Sequence, residues 1–115
     1  MSDDCLFCKI VAGEIPAKIV REDASALAFE DINPQAPLHV LVVPRRHINT
    51  LNELTDTDEV LVGHLVGMAR DIACDRGFDS SGYRTLFNCN ADGGQTVFHI
   101  HLHLLGGRSL TWPPG

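Results

Sequence analysis

Residues 99–105, His-Ile-His-Leu-His-Leu-Leu, alternate between histidine and apolar side chains near the end of the chain. A period of two residues is typical of a β-strand, in which every second side chain lies on the same face. In an extended strand rising roughly 3.3 Å per residue, the three imidazoles would form a row about 6–7 Å apart. We therefore predict a strand with the three histidines on one face and the intervening apolar residues against a core.

The pattern elsewhere predicts four further strands, over residues 18–22, 26–30, 38–43 and 83–88. A long helix is predicted over residues 55–76, because apolar residues recur there at helical spacing and a capping-box pair stands at its start. A short helix is predicted before Gly13. Together these elements predict an α+β fold: a five-stranded, mainly antiparallel sheet with one long and one short helix. The length of 115 residues predicts a single domain over residues 1–115.

Charge and hydropathy narrow the class of protein. Nine basic and fifteen acidic residues give a net charge of −6, which argues against binding to a nucleic-acid polymer. No apolar run approaches the ~20 residues that a membrane span requires. Residues 1–4 are acidic and lack the features of a signal peptide, so we expect a cytoplasmic protein with no membrane partner.

Cys5 and Cys8 form a C-x-x-C pair. In a cytoplasmic protein such cysteines are better interpreted as free thiols or metal ligands than as a disulfide. One interpretation is that both are small packing residues at the start of the short helix. The other is that they are half of a zinc site, which needs two more ligands. His47 and one histidine of residues 99–103 could supply them. His39 and His64 are interpreted as structural.

Residues 88–96 precede the histidine strand and contain a glycine pair. Gly93 and Gly94 allow the backbone to approach a ligand closely, and successive N–H groups in such a turn can bind an anion. Gln95 and Thr96 add side-chain donors. Imidazole can bind a metal, transfer protons near neutral pH or act as a nucleophile. A phosphate held against an imidazole is therefore the chemistry that this juxtaposition favours.

The histidine motif resembles the His-φ-His-φ-His-φ-φ signature of the histidine triad (HIT) family. The similarity extends over residues 7–16, 31–37, 44–47, 92–95 and 112–115. The last two segments are most similar to the nucleoside phosphoramidate hydrolases called Hint proteins. The resemblance implies a HIT-like fold and a homodimer in which two sheets join.

The resemblance also implies an activity, the hydrolysis of purine nucleoside 5′-phosphoramidates of AMP or GMP type. His101 would attack the α-phosphorus to give a nucleotidyl-histidine that water hydrolyses. His103 would bind the phosphate or assist proton transfer, and His99 would orient the site or bind zinc. No cofactor is implied for the chemistry. Related forms carry a structural zinc at the positions of Cys5, Cys8, His47 and His99.

The nucleotide-binding residues are likewise carried over from the family. Asp31 matches the carboxylate that accepts the ribose hydroxyls, and the tail over residues 108–115, with Trp112, is implied to lie near the active site, across a dimer. The phosphate and leaving-group segment is matched by Asn88, Gly94, Gln95 and Thr96. The walls of the base pocket are matched by Phe7, Ile10, Ile15, Phe29 and Ile32. Residues 89–91 depart from the Hint pattern.

Three alternatives remain open. A dinucleoside polyphosphate hydrolase belongs to another HIT branch, although the tail over residues 112–115 weighs against it. A nucleotidyltransferase similar to the galactose-1-phosphate uridylyltransferases is the second, although those place a proline between two histidines where this chain has Ile100 or Leu102. The third is a nucleotide-binding scaffold whose hydrolysis is incidental.

Overall fold

The computed structural model describes residues 4–115, so most of the acidic N-terminal segment, residues 1–3, lies outside it. The strands are β1 (Ile19–Glu22), β2 (Ala26–Glu30), β3 (Leu38–Pro44), β4 (Tyr83–Leu86) and β5 (Leu102–Gly106). They form one five-stranded sheet in the order β1-β2-β3-β5-β4, and each neighbouring pair is antiparallel. The predicted α+β class and five-stranded sheet are confirmed.

Both faces of the central strand β3 are buried. Val40 shares a core cluster with the long helix α2 (Glu59–Asp75), whereas Leu41 shares another with the short helix α1 (Leu6–Val11). Because side chains alternate along a strand, the two helices cover opposite faces of the sheet. His103 in β5 pairs with Leu41, so it lies on the α1 face. The side chain of His103 therefore lies between the sheet and α1.

The long helix begins later than predicted. Thr55 and Asp58 form the predicted capping box, but they bracket a 3₁₀ turn, and α2 proper starts at Glu59. Gly77 follows the helix with φ of +81°, a left-handed conformation that favours glycine. The buried side of the helix is formed by Leu65, Met68, Ala69, Ile72 and Ala73, as the helical spacing predicts. None of the helices described is long and apolar enough to cross a membrane.

The strand predicted over residues 99–105 is shorter than expected, because β5 starts only at Leu102. The register of β3 with β5 would place Pro44 opposite Ile100, and proline has no N–H to continue the ladder. The chain bends over residues 97–99, so His99 and His101 precede the strand. A further short helix, α3 (Asn90–Gly93), and a 3₁₀ turn (Leu51–Glu53) were not predicted, since neither segment has apolar periodicity.

Candidate active site and metal centre

The three histidines of residues 99–103 do not form an even row. The ring centroids of His101 and His103 are 4.9 Å apart, closer than the spacing expected for an extended strand. His99 is fully buried, and its ring turns towards Cys5 and Cys8. The motif therefore divides between two sites. His101 and His103 line a cavity, and His99 joins a cluster of thiols.

His101 has one ring nitrogen available for reaction. Its Nδ1 lies 2.8 Å from the backbone oxygen of His99, and because a carbonyl oxygen only accepts, Nδ1 carries the proton. Nε2 therefore keeps its lone pair. Phe7 packs edge-on against the ring, with the centroids 5.0 Å apart. Burial lowers the pKa of His101, which keeps the imidazole neutral at pH 7 and able to act as a nucleophile.

His39, interpreted from the sequence as structural, lies against His103. The peptide N–H of Gln35 donates to His39 Nδ1 at 3.0 Å, so the proton of neutral His39 is on Nε2. That Nε2–H donates to His103 Nδ1 at 3.0 Å, and Asp31 Oδ2 lies 3.4 Å from His39 Nε2. His103 is thereby left with its own proton on Nε2. Burial, followed by repulsion that protonated His103 would meet from the rings of His101 and His39 when these are protonated, lowers the pKa of His103 to about 4.

The position of His39 in a predicted strand could have indicated that it lies near His103, but only if the pairing register of the two strands had been known. His39 and Leu41 lie two residues apart in β3 and so share a face, and Leu41 pairs with His103. Antiparallel pairing of the two predicted strands in this register places both histidines on the α1 face. Period-two alternation alone did not specify which residues pair.

A cavity of about 280 Å³ opens beside His101 and His103. All five residues implied as walls of a base pocket line it: Phe7, Ile10, Ile15, Phe29 and Ile32. Ile32 is 99% exposed, so it lies at the rim and not in a buried wall. Asp31 also lines the cavity, and its Oδ1 accepts the N–H of Asn33 at 2.8 Å, which holds the carboxylate in place. Leu6, Pro16, Ala17, Leu41 and Val97 contribute walls that the sequence did not single out.

The segment implied to bind phosphate is a turn built around α3. Gly94 ends this helix with φ of +82°, in the left-handed conformation that favours glycine. Thr96 is exposed and lines the cavity, whereas Asn88 is half-buried with its backbone against Gly93. Gln95 differs from its implied role, because it is buried and its amide bonds to backbone groups of the chain.

Cys5, Cys8, His47 and His99 come together beside α1, and their ligand atoms all lie within 4.8 Å of one another. Cys8 Sγ lies 3.2 Å from His47 Nδ1 and 3.6 Å from His99 Nδ1. Cys5 Sγ lies 3.4 Å from His99 Nδ1. In a tetrahedral site with bonds of about 2.3 Å to sulfur and 2.0–2.1 Å to nitrogen, ligand atoms are about 3.3–3.8 Å apart. The separations in the cluster are close to this range.

The tautomers of both cluster histidines fit a metal. His99 Nε2 donates to the backbone oxygen of Pro44 at 2.8 Å, and His47 Nε2 donates to Asn49 Oδ1 at 2.5 Å. Each bond leaves the lone pair on Nδ1, the nitrogen that faces the thiols. Outer hydrogen bonds of this kind orient histidine ligands in metal sites. Two thiols and two imidazoles are a donor set that zinc prefers.

Asp31, His39 and His103 form a second cluster with closely spaced ligand atoms. Here the nitrogen of His39 that faces the other two residues is Nε2, which carries the proton because Nδ1 accepts from Gln35. A protonated nitrogen has no lone pair for a metal. The protonation pattern therefore favours metal binding by the cysteine–histidine cluster and hydrogen bonding by this one.

Trp112 does not line the cavity beside His101 within the chain. Its side chain is 83% exposed. Arg84 Nη2 donates to the backbone oxygen of Thr111 at 3.0 Å, which holds the tail beside the edge strand β4. The tail and the candidate active site are thus separate features of one chain.

Comparisons with known proteins identify the family. The family described as scavenger mRNA decapping enzyme, C-terminal binding, matches residues 4–111. An uncharacterized HIT-like protein of Synechococcus elongatus is 53% identical over 115 residues, which is 100% of both chains. The purine nucleoside phosphoramidase of Escherichia coli is 44% identical over 110 residues, covering 96% of this chain and 92% of that relative. A HIT family hydrolase from Legionella pneumophila has a TM-score of 0.96 and 54% identity, over 97% of this chain and 100% of that one.

The fold and the histidine-lined cavity place this chain in the structural class to which the HIT family hydrolase from Legionella pneumophila belongs. The chain belongs to the histidine triad (HIT) family, which confirms the resemblance drawn from residues 99–105 and their flanking segments. The matched family segment contains both histidine clusters, whereas Trp112 lies just beyond it.

Proposed function

We propose that this protein hydrolyses the P–N bond of purine nucleoside 5′-phosphoramidates, with a nucleotide of AMP or GMP type as the bound moiety. The observation that carries the proposal is the free Nε2 of His101, a buried neutral imidazole at a cavity with apolar walls. Apolar walls suit a purine, and the Asp31 carboxylate at the same cavity suits a ribose. The Escherichia coli relative that carries the name purine nucleoside phosphoramidase supports the assignment.

The reaction proceeds in two displacements. His101 Nε2 forms a bond to the α-phosphorus while the bond from phosphorus to the leaving nitrogen breaks. The leaving nitrogen takes the bonding pair, accepts a proton from solvent and departs as an amine. Water then forms a P–O bond as the P–Nε2 bond breaks, and the proton that this water loses goes back to solvent. The products are the nucleoside monophosphate and neutral His101.

The neighbouring groups orient the nucleotide and its phosphate. His103, with its proton on Nε2, donates to a phosphate oxygen, and His39 holds His103 in that tautomer. Asp31 accepts from Asn33 and faces His39. A carboxylate has about four lone-pair sites, so capacity remains for the ribose hydroxyls. Thr96 is an exposed side-chain donor of the phosphate-binding turn that also lines the cavity.

We also propose that Cys5, Cys8, His47 and His99 hold a structural zinc ion. Bound there, zinc supplies a cross-link and takes no part in the displacements. The four residues come from α1, from the segment after β3 and from the bend before β5. Cross-linking of these residues would fix the bend at His99, whose backbone oxygen accepts the hydrogen bond from His101 Nδ1.

A homodimer is proposed on the basis of the edge strand β4. This strand ends the sheet, so one side of its backbone is available to pair with a second copy. The tail is attached beside β4 through Arg84. Pairing of two β4 strands would direct each tail towards the partner, where Trp112 contacts the leaving group.

Steady-state kinetics with adenosine 5′-phosphoramidate and diadenosine polyphosphates test the function. We expect kcat/KM for the phosphoramidate to be higher by a factor of 100 or more. His101→Ala should abolish turnover and keep the Kd of AMP within about tenfold, because it removes transition-state stabilisation. Intact-protein mass spectrometry should detect a nucleotidyl adduct on the wild type only.

The control is His64→Ala, a substitution of an exposed histidine outside the cavity, which should behave as wild type. Preference for the polyphosphates would assign the protein to that branch of hydrolases. Tight AMP binding without turnover of either substrate would make it a scaffold. Wild-type turnover by His101→Ala would reject the mechanism.

A further inference from the structure

Gln95 uses its whole side-chain amide inside the protein. It is only 7% exposed, and its Oε1 accepts the N–H of Asn90 at 2.9 Å. Its Nε2 donates to the backbone oxygens of Asn49 at 2.8 Å and Val97 at 3.1 Å. An amide nitrogen has two donors, so neither remains for a phosphate. Gln95 therefore acts within the chain and not on the ligand.

Asn49 connects this amide to the metal cluster. Its Oδ1 accepts from His47 Nε2, which leaves His47 Nδ1 as the ligand atom. His47 bonds to the side-chain Oδ1 of Asn49, and the backbone oxygen of the same residue accepts from Gln95, whose Oε1 bonds to Asn90, the first residue of α3. This helix leads directly into Gly94. The metal cluster and the phosphate-binding turn are thus joined through Asn49, whose side chain bonds to His47 and whose backbone bonds to Gln95.

We infer that Asn49 and Gln95 are positioning residues that couple zinc binding to nucleotide binding, an inference that rests on both sites of the proposed function. A zinc ion bound by His47 would fix the orientation of the ring. The ring would then fix Asn49 through its side chain, and Asn49 would fix Gln95, which bonds to α3; we call Asn49 and Gln95 the bridge. Ordering the bridge for one ligand lowers the cost of ordering it for the other, so the two affinities reinforce each other. By thermodynamic linkage each ligand must tighten the other by the same factor.

The surroundings of Asn49 allow a clean test. Asn49 is exposed, so its substitution leaves the apolar core intact. A cavity of about 360 Å³, lined in part by Cys5, His47 and Asn49, opens beside the cysteine–histidine cluster, so we expect the ion to exchange with solvent without unfolding. Zinc affinity can therefore be measured by competition with a chromophoric chelator on the folded protein.

The first measurement compares Asn49→Ala, Asn49→Asp and the matched control Asn52→Ala, an exposed asparagine in the following 3₁₀ turn. Loss of an outer partner of a histidine ligand typically lowers metal affinity by 10–100-fold, so Asn49→Ala should weaken zinc binding by about tenfold or more. Asn49→Asp keeps an acceptor for His47 Nε2 and should retain wild-type affinity. Equal zinc affinity in Asn49→Ala and Asn52→Ala would overturn the positioning role.

The second measurement determines zinc affinity with and without saturating AMP. In the wild type, AMP should tighten zinc by about fivefold or more, the lower range of coupling between sites. Gln95→Met keeps the volume of the side chain, loses the bridge and should abolish the AMP effect, with folding checked by circular dichroism. A wild-type zinc affinity that AMP leaves unchanged would refute the coupling, as would a Gln95→Met protein that keeps the full effect. Neither measurement involves phosphoramidate turnover, so failure of the proposed activity remains a separate result.

Discussion

His39 and His103 are 64 residues apart in the sequence, and their Nε2 and Nδ1 atoms are 3.0 Å apart in the structure. The peptide N–H of Gln35 fixes which nitrogen of His39 carries the proton, and that proton in turn fixes the tautomer of His103. A hydrogen bond from a peptide N–H on the loop before β3 therefore determines which nitrogen of His103 carries a proton in the cavity.

Replacement of His39 should lower turnover more than binding. His39→Phe keeps a planar ring but cannot donate to His103 Nδ1. Loss of one orienting hydrogen bond should reduce kcat roughly tenfold and leave the Kd of AMP within about threefold. His39→Gln carries an N–H donor and should recover part of kcat, whereas His64→Phe should match the wild type. A His39→Phe enzyme with wild-type kcat would show that the tautomer of His103 does not matter.

Zinc removal should lower thermal stability more than chemistry. Protein purified without added metal should contain close to one zinc per chain, and chelation should lower Tm on the order of 10 °C. At saturating substrate kcat should change by less than about threefold, because His101 is not a ligand. Cys8→Ser should show the low Tm without response to chelator. Cys74→Ser, which replaces an exposed cysteine, should respond as the wild type does. Metal-free protein with unchanged Tm would reduce the cysteines to packing residues.

Acidification should destabilise the protein through His103. Its pKa is about 4 in the folded state and about 6.5 in an unfolded chain, so the unfolded state binds more protons between these values. Stability is therefore fully present above about pH 6.5 and is lost as the pH falls towards 4. Discounted for partial exposure, the loss between pH 7 and pH 5 is about 1 kcal/mol. Urea unfolding at both pH values should show a smaller loss in His103→Gln, and an equal loss in both proteins would contradict the assignment.

Truncation of residues 111–115 should alter the choice of leaving group. The tail is held beside β4 by Arg84 and carries the exposed Trp112, so its removal takes no residue from the core. Circular dichroism and gel filtration should find the fold and the dimer unchanged. The ranking of phosphoramidates with different amines should change in steady-state kinetics. If truncation scaled kcat/KM of every substrate equally, the tail would have no part in leaving-group choice.

Local patterns predicted the elements of the fold well. Short apolar runs bounded by turn residues identified the strands β2 and β3, and Thr55 with Asp58 marked the start of the long helical segment. The period-two alternation failed at His99, where the predicted strand gives way to a bend. Pro44 ends the ladder on the neighbouring strand, and such an effect depends on pairing that a single segment does not reveal.

Family similarity also indicated which residues come together, namely the four residues of the cysteine–histidine cluster and the five apolar residues that line the cavity. The roles of His39 and Gln95 were not. His39 acquires its role from the register of β3 against β5, and Gln95 from a buried contact with Asn49, 46 residues away.

The sequence by itself determined where the five strands and the long helix lie along the chain, to within a few residues at their ends, because these depend on neighbours along the chain. Only the tertiary structure decided which nitrogen of each histidine ring carries the proton, that His39 lies against His103, and that Gln95 bonds to the backbone. Those properties depend on hydrogen-bond partners from distant segments, and the partners are chosen by strand register and packing, which no local pattern specifies.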